Sequence, residues 1–227
     1  MCVFMCLCLC VFSCVYAYTY QGKPVVFDGA MGSNLYEQGI LHTRAFEECN
    51  LTAASKVKDV HKSFIEAGAN VIETNTFGAN KFALARFGLQ NIAEINTAGV
   101  RIAKEAVAES GKAAWVAGAV GPTGEGAGFI DDDKALEIAD ALTVQIKAMV
   151  EAGVDLIIIE TFTFLAEIKI AIQATKAVFA GPIIACMSFS DEEQTPDTLK
   201  PGKVAGAYSI SVRILLYMCL TDLAKPQ

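Results

Sequence analysis

The sequence predicts an α/β fold arranged as a (β/α)8 TIM barrel, incomplete, with about five of the eight strand–helix units legible. Three observations predict it. Short apolar runs alternate strictly with helical periodicities from Lys23 onward, the pattern of a strand–helix repeat. The runs are continuously apolar rather than alternating, as in a parallel sheet covered by helices. Polar residues gather at the carboxyl ends of successive runs: Asp28, Thr74 to Thr76, Gly121 to Thr123, Glu160-Thr161 and Ser188. Chemistry drawn from many strand ends is the habit of a barrel, whereas a doubly wound sheet concentrates it at one switch point.

The elements follow in order. "PVVFDG" reads as a first buried strand opening into a loop. Thr52 is placed to cap a helix with Val57, Val60, Phe64 and Ile65 on one face, and Gly68 stops it. "NVIETNTF" is the second strand, "NKFALARF" a short helix, and Ile92, Ile95, Ile102 and Ala106 mark a longer one. "AWVAGAVGP" is the third strand. The glycine-rich "GPTGEGAG" leads into "DDD" (Asp131 to Asp133), acidic residues suited to a helix N-terminus. That helix buries Ile138, Leu142, Ile146 and Met149. "DLIIIETF", the helix through Leu165, Ile168, Ile172 and Phe179, and "PIIACMSF" complete the readable part. The tail holds at most one more strand or helix.

Two phrases nearly repeat: "EAGANVIETNTF" and "EAGVDLIIIETFTF". Each runs from helix end through a glycine stop and a buried strand to a polar tip, which the barrel repeat explains without a second active site. Glu160 follows the long run Leu156 to Ile159, while Glu73 follows only Val71-Ile72. Glu160 is therefore the candidate carboxylate, and Glu73 is read as structural.

Bulk properties bound the function. The 227 residues are 53% apolar and 19% charged, with a net charge of -7. That balance argues against nucleic acid or an anionic membrane as partner. Cys2, Cys6, Cys8, Cys10 and Cys14 crowd the start, among Val, Phe, Leu and Met, with no polar partners for a metal cluster. Residues 1–22 form an apolar, cysteine-rich leader: signal peptide, short anchor or non-native segment are all open, since it lacks a positive n-region and is short for a span. Residues 23–202 are the partial barrel and 203–227 a separate tail. The body reads as cytoplasmic; secretion or membrane contact depends on the leader being retained.

Several constellations have plain readings. "GPTGEGAG" lacks a G-K-[ST] ending and a G-x-G-x-x-G spacing, so it is a site-side loop rather than a phosphate cradle. His42 and His61 are the only histidines, and His61, beside Val60 and Phe64, reads as a packing or surface residue. No lysine stands at a strand end, which counts against Schiff-base chemistry. Asp28 and Glu160 remain. They are either buried loop caps or a carboxylate pair able to hold an ammonium group, with backbone N–H groups at Gly29-Ala30-Met31 available for a carboxylate.

In order and spacing, "DGAMGSNLYEQGI", "HKSFIEAGANVIETNTFGANKFALARFGL", "EINTAGVRIAKEAV", "GPTGE", "ETF" and "MSF" resemble the homocysteine-binding domain of the homocysteine S-methyltransferase family. The resemblance runs from Pro24 to Phe189. It implies a barrel that binds homocysteine at its carboxyl-end face and transfers a methyl group to the thiolate, giving methionine. It also implies zinc held by three cysteines. Asp28 and Gly29 match the family's first-strand motif, Glu160 its fourth-strand glutamate at the amino-acid end of the substrate, and Asn75 the second-strand motif that shapes the pocket.

The family's Gly-x-Asn-Cys and Gly-Gly-Cys-Cys zinc motifs are missing here. Cys186 lies inside a strand and Cys219 in the tail. The chain is thus read as truncated after the fifth strand, with no metal ligands or catalytic residue identifiable and no turnover expected alone. The methyl donor (folate, cobalamin or other) is left open. The alternative is a non-catalytic barrel fragment that binds amino acids or assembles through unpaired barrel edges.

Overall fold

The computed structural model describes residues 19–20, 23–189, 196 and 214–220. The expected leader falls almost wholly outside the described residues, as does the tail apart from its strand. A two-residue ribbon, β1 (Thr19–Tyr20) with β2 (Lys23–Pro24), precedes the main body. The body is a five-stranded parallel sheet in sequential order: β3 (Val71–Glu73), β4 (Trp115–Val120), β5 (Leu156–Phe162), β6 (Ile183–Phe189) and β7 (Ile214–Leu220). Before β3 run α1 (Met31–Glu37), a 3-10 turn at Phe46–Glu48, α2 (Cys49–Thr52) and α3 (Ala54–Ala67); between β3 and β6 run α4 (Lys81–Ala85), α5 (Ile92–Ser110), α6 (Asp132–Ala152) and α7 (Leu165–Val178). Neighbouring strands are successive in the chain, and from β3 to β6 they are joined through helices, the connectivity of a barrel wall. Among the described residues the wall is an open arc of an incomplete (β/α)8 barrel.

Strand periodicity sorts the side chains onto two faces. Ile72, Val116, Val120, Ile157, Ile159, Ile183, Ala185 and Met187 pack outward against helices through Ile65, Val100, Ile146, Met149, Ile168 and Ile172. Val71, Ala117, Ala119, Ile158 and Cys186 form the inner cluster, joined by Val25, Phe27, Leu156 and Ile184. Both faces are buried, which is why the strands read as continuous apolar runs. Each fully buried Ile contributes roughly 1.5–3 kcal/mol through removal from water.

The doubled phrase is the same joint built twice. Gly68 (φ 106) ends α3 and Gly153 (φ 88) ends α6, both in the left-handed region that a glycine adopts freely. Two residues on, Asn70 and Asp155 each turn a side-chain oxygen to the backbone of the preceding strand. Asn70 accepts from Val26 N–H at 3.0 Å, and Asp155 from Val116 N–H at 2.7 Å.

Two expected elements differ. The first strand shrinks to a single parallel bridge, Phe27 to Val71, flanked by Asn70 N–H to Val26 and Asp28 N–H to Val71 hydrogen bonds. Pro24 offers no N–H and Val26 is 52% exposed, so this segment hugs β3 without extending the ladder. Thr52 does not cap α3. Its hydroxyl donates to Glu48 C=O at 3.1 Å, closing the short α2, and Ala53 stands at the N-cap with no side-chain bond. By contrast Asp131 caps α6 by accepting from Lys134 N–H, and Asn80 caps α4.

Candidate functional site

The phase of the inner face decides which polar side chains meet. Val71 and Ile158 point inward, so Glu73 and Glu160, each two residues further on, carry the same face to the carboxyl ends of β3 and β5. These strands are two spacings apart, about 10 Å. The intervening strand offers only Ala117 and Ala119 on that face, and Ala117 is in register with Glu73. Methyl groups there leave room for the two long carboxylates to meet, and the Glu73 and Glu160 side chains share a hydrogen bond.

Asp28 completes the cluster. Its Oδ2 accepts the backbone N–H of Glu73 at 3.0 Å, while Oδ1 is buried without a protein partner. Burial, with the Glu160 charge added, pushes the Asp28 carboxyl up to about 8 against the lowering pull of the Glu73 N–H. Burial and the charges of Glu160 and Asp28 hold Glu73 well above the usual carboxylate range. Glu160 is also raised by burial, and the hydrogen bond from Glu73 offsets part of that. Three acidic groups with an unpartnered oxygen make a cluster that favours a cation.

Glu160 is set at a distortion of the strand. Pairing of β5 with β6 shifts register between Ile159 and Phe162, and Thr161 takes φ 64. A β-branched residue in the left-handed region is strained by about 1–2 kcal/mol. The bulge marks the point where Glu160 leaves the ladder.

Of the sequence-derived site residues, Asp28 and Glu160 come together. Gly29 follows Asp28 and lies against the ring of Phe64, where an added Cβ would stand 3.1 Å from Cε1. Asn75 turns away from the carboxylates: its Nδ2 donates to Phe46 C=O at 2.8 Å and to Asn50 Oδ1 at 3.0 Å, and Asn50 returns a bond to Asn75 C=O at 2.7 Å. It ties the β3 exit to the 3-10 turn and α2. Thr74 and Thr76 also face outward, toward each other and Met149. Glu73, read from the sequence as structural, belongs to the cluster, and the signal for it was the period-two phase shared with Val71.

The "GPTGEGAG" loop is held from below. Glu167, 1% exposed, accepts both the backbone N–H and the hydroxyl of Thr123, and an added Cβ at Gly126 would collide with its carboxylate. His61 is fully buried, with neither ring nitrogen hydrogen-bonded, and burial lowers its pKa to about 4.

The family resemblance implies zinc, and the residues described do not fit it. No group of three His, Cys, Asp or Glu among them could hold a metal ion. Cys49 is buried in the helix layer with Leu35, Val57 and Val60, and Cys186 lies on the inner wall below Ser188. The backbone register sets Cys219 opposite Ser188 on β7, a single thiol position.

A parallel barrel wall with its polar groups at the carboxyl ends of the strands defines a small-molecule site of the (β/α)8 class. Comparison with known proteins makes the class specific. The sequence model described as homocysteine S-methyltransferase matches residues 25–218, and the chain belongs to that family. It is a homocysteine S-methyltransferase domain. The fold is similar to that of the homocysteine methyltransferase MmuM from Escherichia coli. In the metallated form the TM-score is 0.75 at 21% identity, covering 87% of this chain and 75% of that one. The oxidized form gives 0.74 at 22% identity, with 86% and 72% covered. The apo form gives 0.64 at 21% identity, with 85% and 71% covered. Among the described residues no helix is long and apolar enough to cross a membrane.

Proposed function

We propose that the chain binds homocysteine through its amino-acid end, with Asp28 and Glu160 receiving the ammonium group. The observation that carries this reading is the convergence of the two carboxylates with Asp28 Oδ1 left without a partner. An ammonium offers three donors and a positive charge to a cluster that otherwise suppresses its own ionisation. The backbone N–H groups of the Gly29–Met31 turn would take the substrate carboxylate, and Asn75 contributes by fixing the β3 exit through Asn50 and Phe46. Methyl transfer to the substrate sulfur is the reaction of this reading. The donor set for zinc is not among the described residues, so binding without turnover is expected of this chain alone.

The second reading is an amino-acid-binding or assembly module, favoured by that same lack of a three-ligand group. Self-association through the outer edge of β7 belongs to it. A cytoplasmic location accords with the free thiol of Cys49. Isothermal titration of the purified chain with L-homocysteine tests the first reading: saturable binding lost in Asp28→Asn and Glu160→Gln supports it, and no binding refutes it.

A further inference from the structure

Asp28 and Glu160 are fixed by the same third residue. The backbone N–H of Glu73 holds Asp28 Oδ2 at 3.0 Å, and its side chain hydrogen-bonds Glu160. Two carboxyl groups hydrogen-bond only when a proton lies between them, because an ionised carboxylate is an acceptor only. Ala117 and Ala119 clear the space in which they meet.

We infer that Glu73 is the positioning residue of the site: as the neutral acid it donates its carboxyl hydrogen to Glu160, while its backbone N–H orients Asp28. This rests on the amino-acid reading above and extends it. When a ligand ammonium docks on Glu160 and Asp28, the carboxyl hydrogen stays on Glu73 and keeps Glu160 oriented toward the ligand.

The groups whose charge acts on Glu73 are Glu160 and Asp28, both acids, and each favours its neutral form. Burial raises its pKa in the same direction. Glu160 shows the complementary effect, a lowering by the bond from Glu73, as expected of the acceptor. The reading also explains why a glutamate stands at the end of a strand whose other inward residue, Val71, is apolar.

Two measurements test this on the full chain. The first needs no ligand: carboxyl 13C NMR of the glutamate-labelled protein across pH. A glutamate resonance still protonated at neutral pH is expected, lost in Glu73→Gln and shifted in Glu160→Gln. Glu47, also raised by burial, lies outside the cluster and serves as a reference that neither variant moves. Finding no protonated glutamate resonance that Glu73→Gln removes overturns the proposal.

The second is calorimetric titration with L-homocysteine in two buffers of different ionisation enthalpy. The number of protons released on binding should be the same in the wild type and in Glu73→Gln, because the proton given up is that of Asp28, and a difference of a whole proton would overturn the proposal. Glu73→Ala should bind about tenfold more weakly, and Glu73→Gln, whose amide can still donate to Glu160, should recover most of that loss. Equal affinities for the two variants overturn the positioning role. If the wild type binds no homocysteine, the amino-acid reading fails, and the NMR titration still decides the shared proton.

Discussion

The backbone N–H of Glu73 donates to Oδ2 of Asp28 at 3.0 Å, which ties the end of β3 to the loop after Phe27. The bond orients one oxygen and leaves the other, Oδ1, buried and without a partner. Folding therefore sequesters acidity that only a cation or a proton can relieve.

That has a consequence for stability. Asp28 is raised from 3.8 to about 8, so its contribution is complete below the unfolded value and is lost as pH rises through about 8. His61 acts in the opposite sense. Lowered from 6.5 to about 4, it contributes fully above 6.5 and loses that contribution as pH falls. Between pH 6.5 and 8 the carboxyl effect acts without the histidine. Urea unfolding of the unliganded chain should show stability falling with pH across this window, by up to about 1.4 kcal/mol per pH unit for each retained proton. Asp28→Asn should flatten the slope, and a wild type already flat would contradict the assignment.

The parts of this arrangement differ in how far the sequence showed them. Gly68 and Gly153, the run Leu156 to Ile159 and the acidic start at Asp131 were legible because each reports a local requirement: a left-handed cap, a buried strand, a helix N-terminus. The first strand is shorter than its composition suggests, since Val25 to Phe27 is apolar enough for a strand while Pro24 and the exposed Val26 limit its pairing to one bridge. Run length favours Glu160 over Glu73, whereas phase favours both. Counting by twos from Val71 places Glu73 on the inner face beside Glu160. Asn75 lies beyond the end of β3, where no period governs direction, and its turn toward Asn50 depends on a contact 25 residues away in sequence.

The bulge at Thr161 predicts an unusual response to glycine. Glycine in a strand ordinarily costs about 0.5–1 kcal/mol in chain entropy. At φ 64 the relief of backbone strain, about 1–2 kcal/mol, offsets it. Thr161→Gly should leave the thermal midpoint unchanged or slightly raised, and a clear drop would show that Thr161 is not strained.

Glu167 predicts a structural role for a buried charge. Removing it in Glu167→Ala leaves the N–H and hydroxyl of Thr123, 1% exposed, without their acceptor. A loss of about 2–3 kcal/mol in denaturant unfolding is expected. Gly126→Ala should destabilise as well, because the new methyl meets the Glu167 carboxylate. Near-neutral results for both would remove the loop anchor from the account.

Metal dependence follows from the donor set. With no three-ligand group among the described residues, a chelator should leave the unfolding midpoint where it was. A chelator-induced drop accompanied by stoichiometric zinc in elemental analysis would place a metal site elsewhere in the chain.

The central claim is that Asp28 and Glu160 recognise an ammonium group. It is tested most directly by titrating the chain, by calorimetry, with L-homocysteine and with 4-mercaptobutanoate, which keeps the thiol and the carboxylate and lacks the amine. Homocysteine should bind at least about tenfold more tightly, the worth of about 1.4 kcal/mol. That preference should vanish in the Asp28→Asn, Glu160→Gln double variant. Equal affinity of the wild type for the two ligands would contradict it.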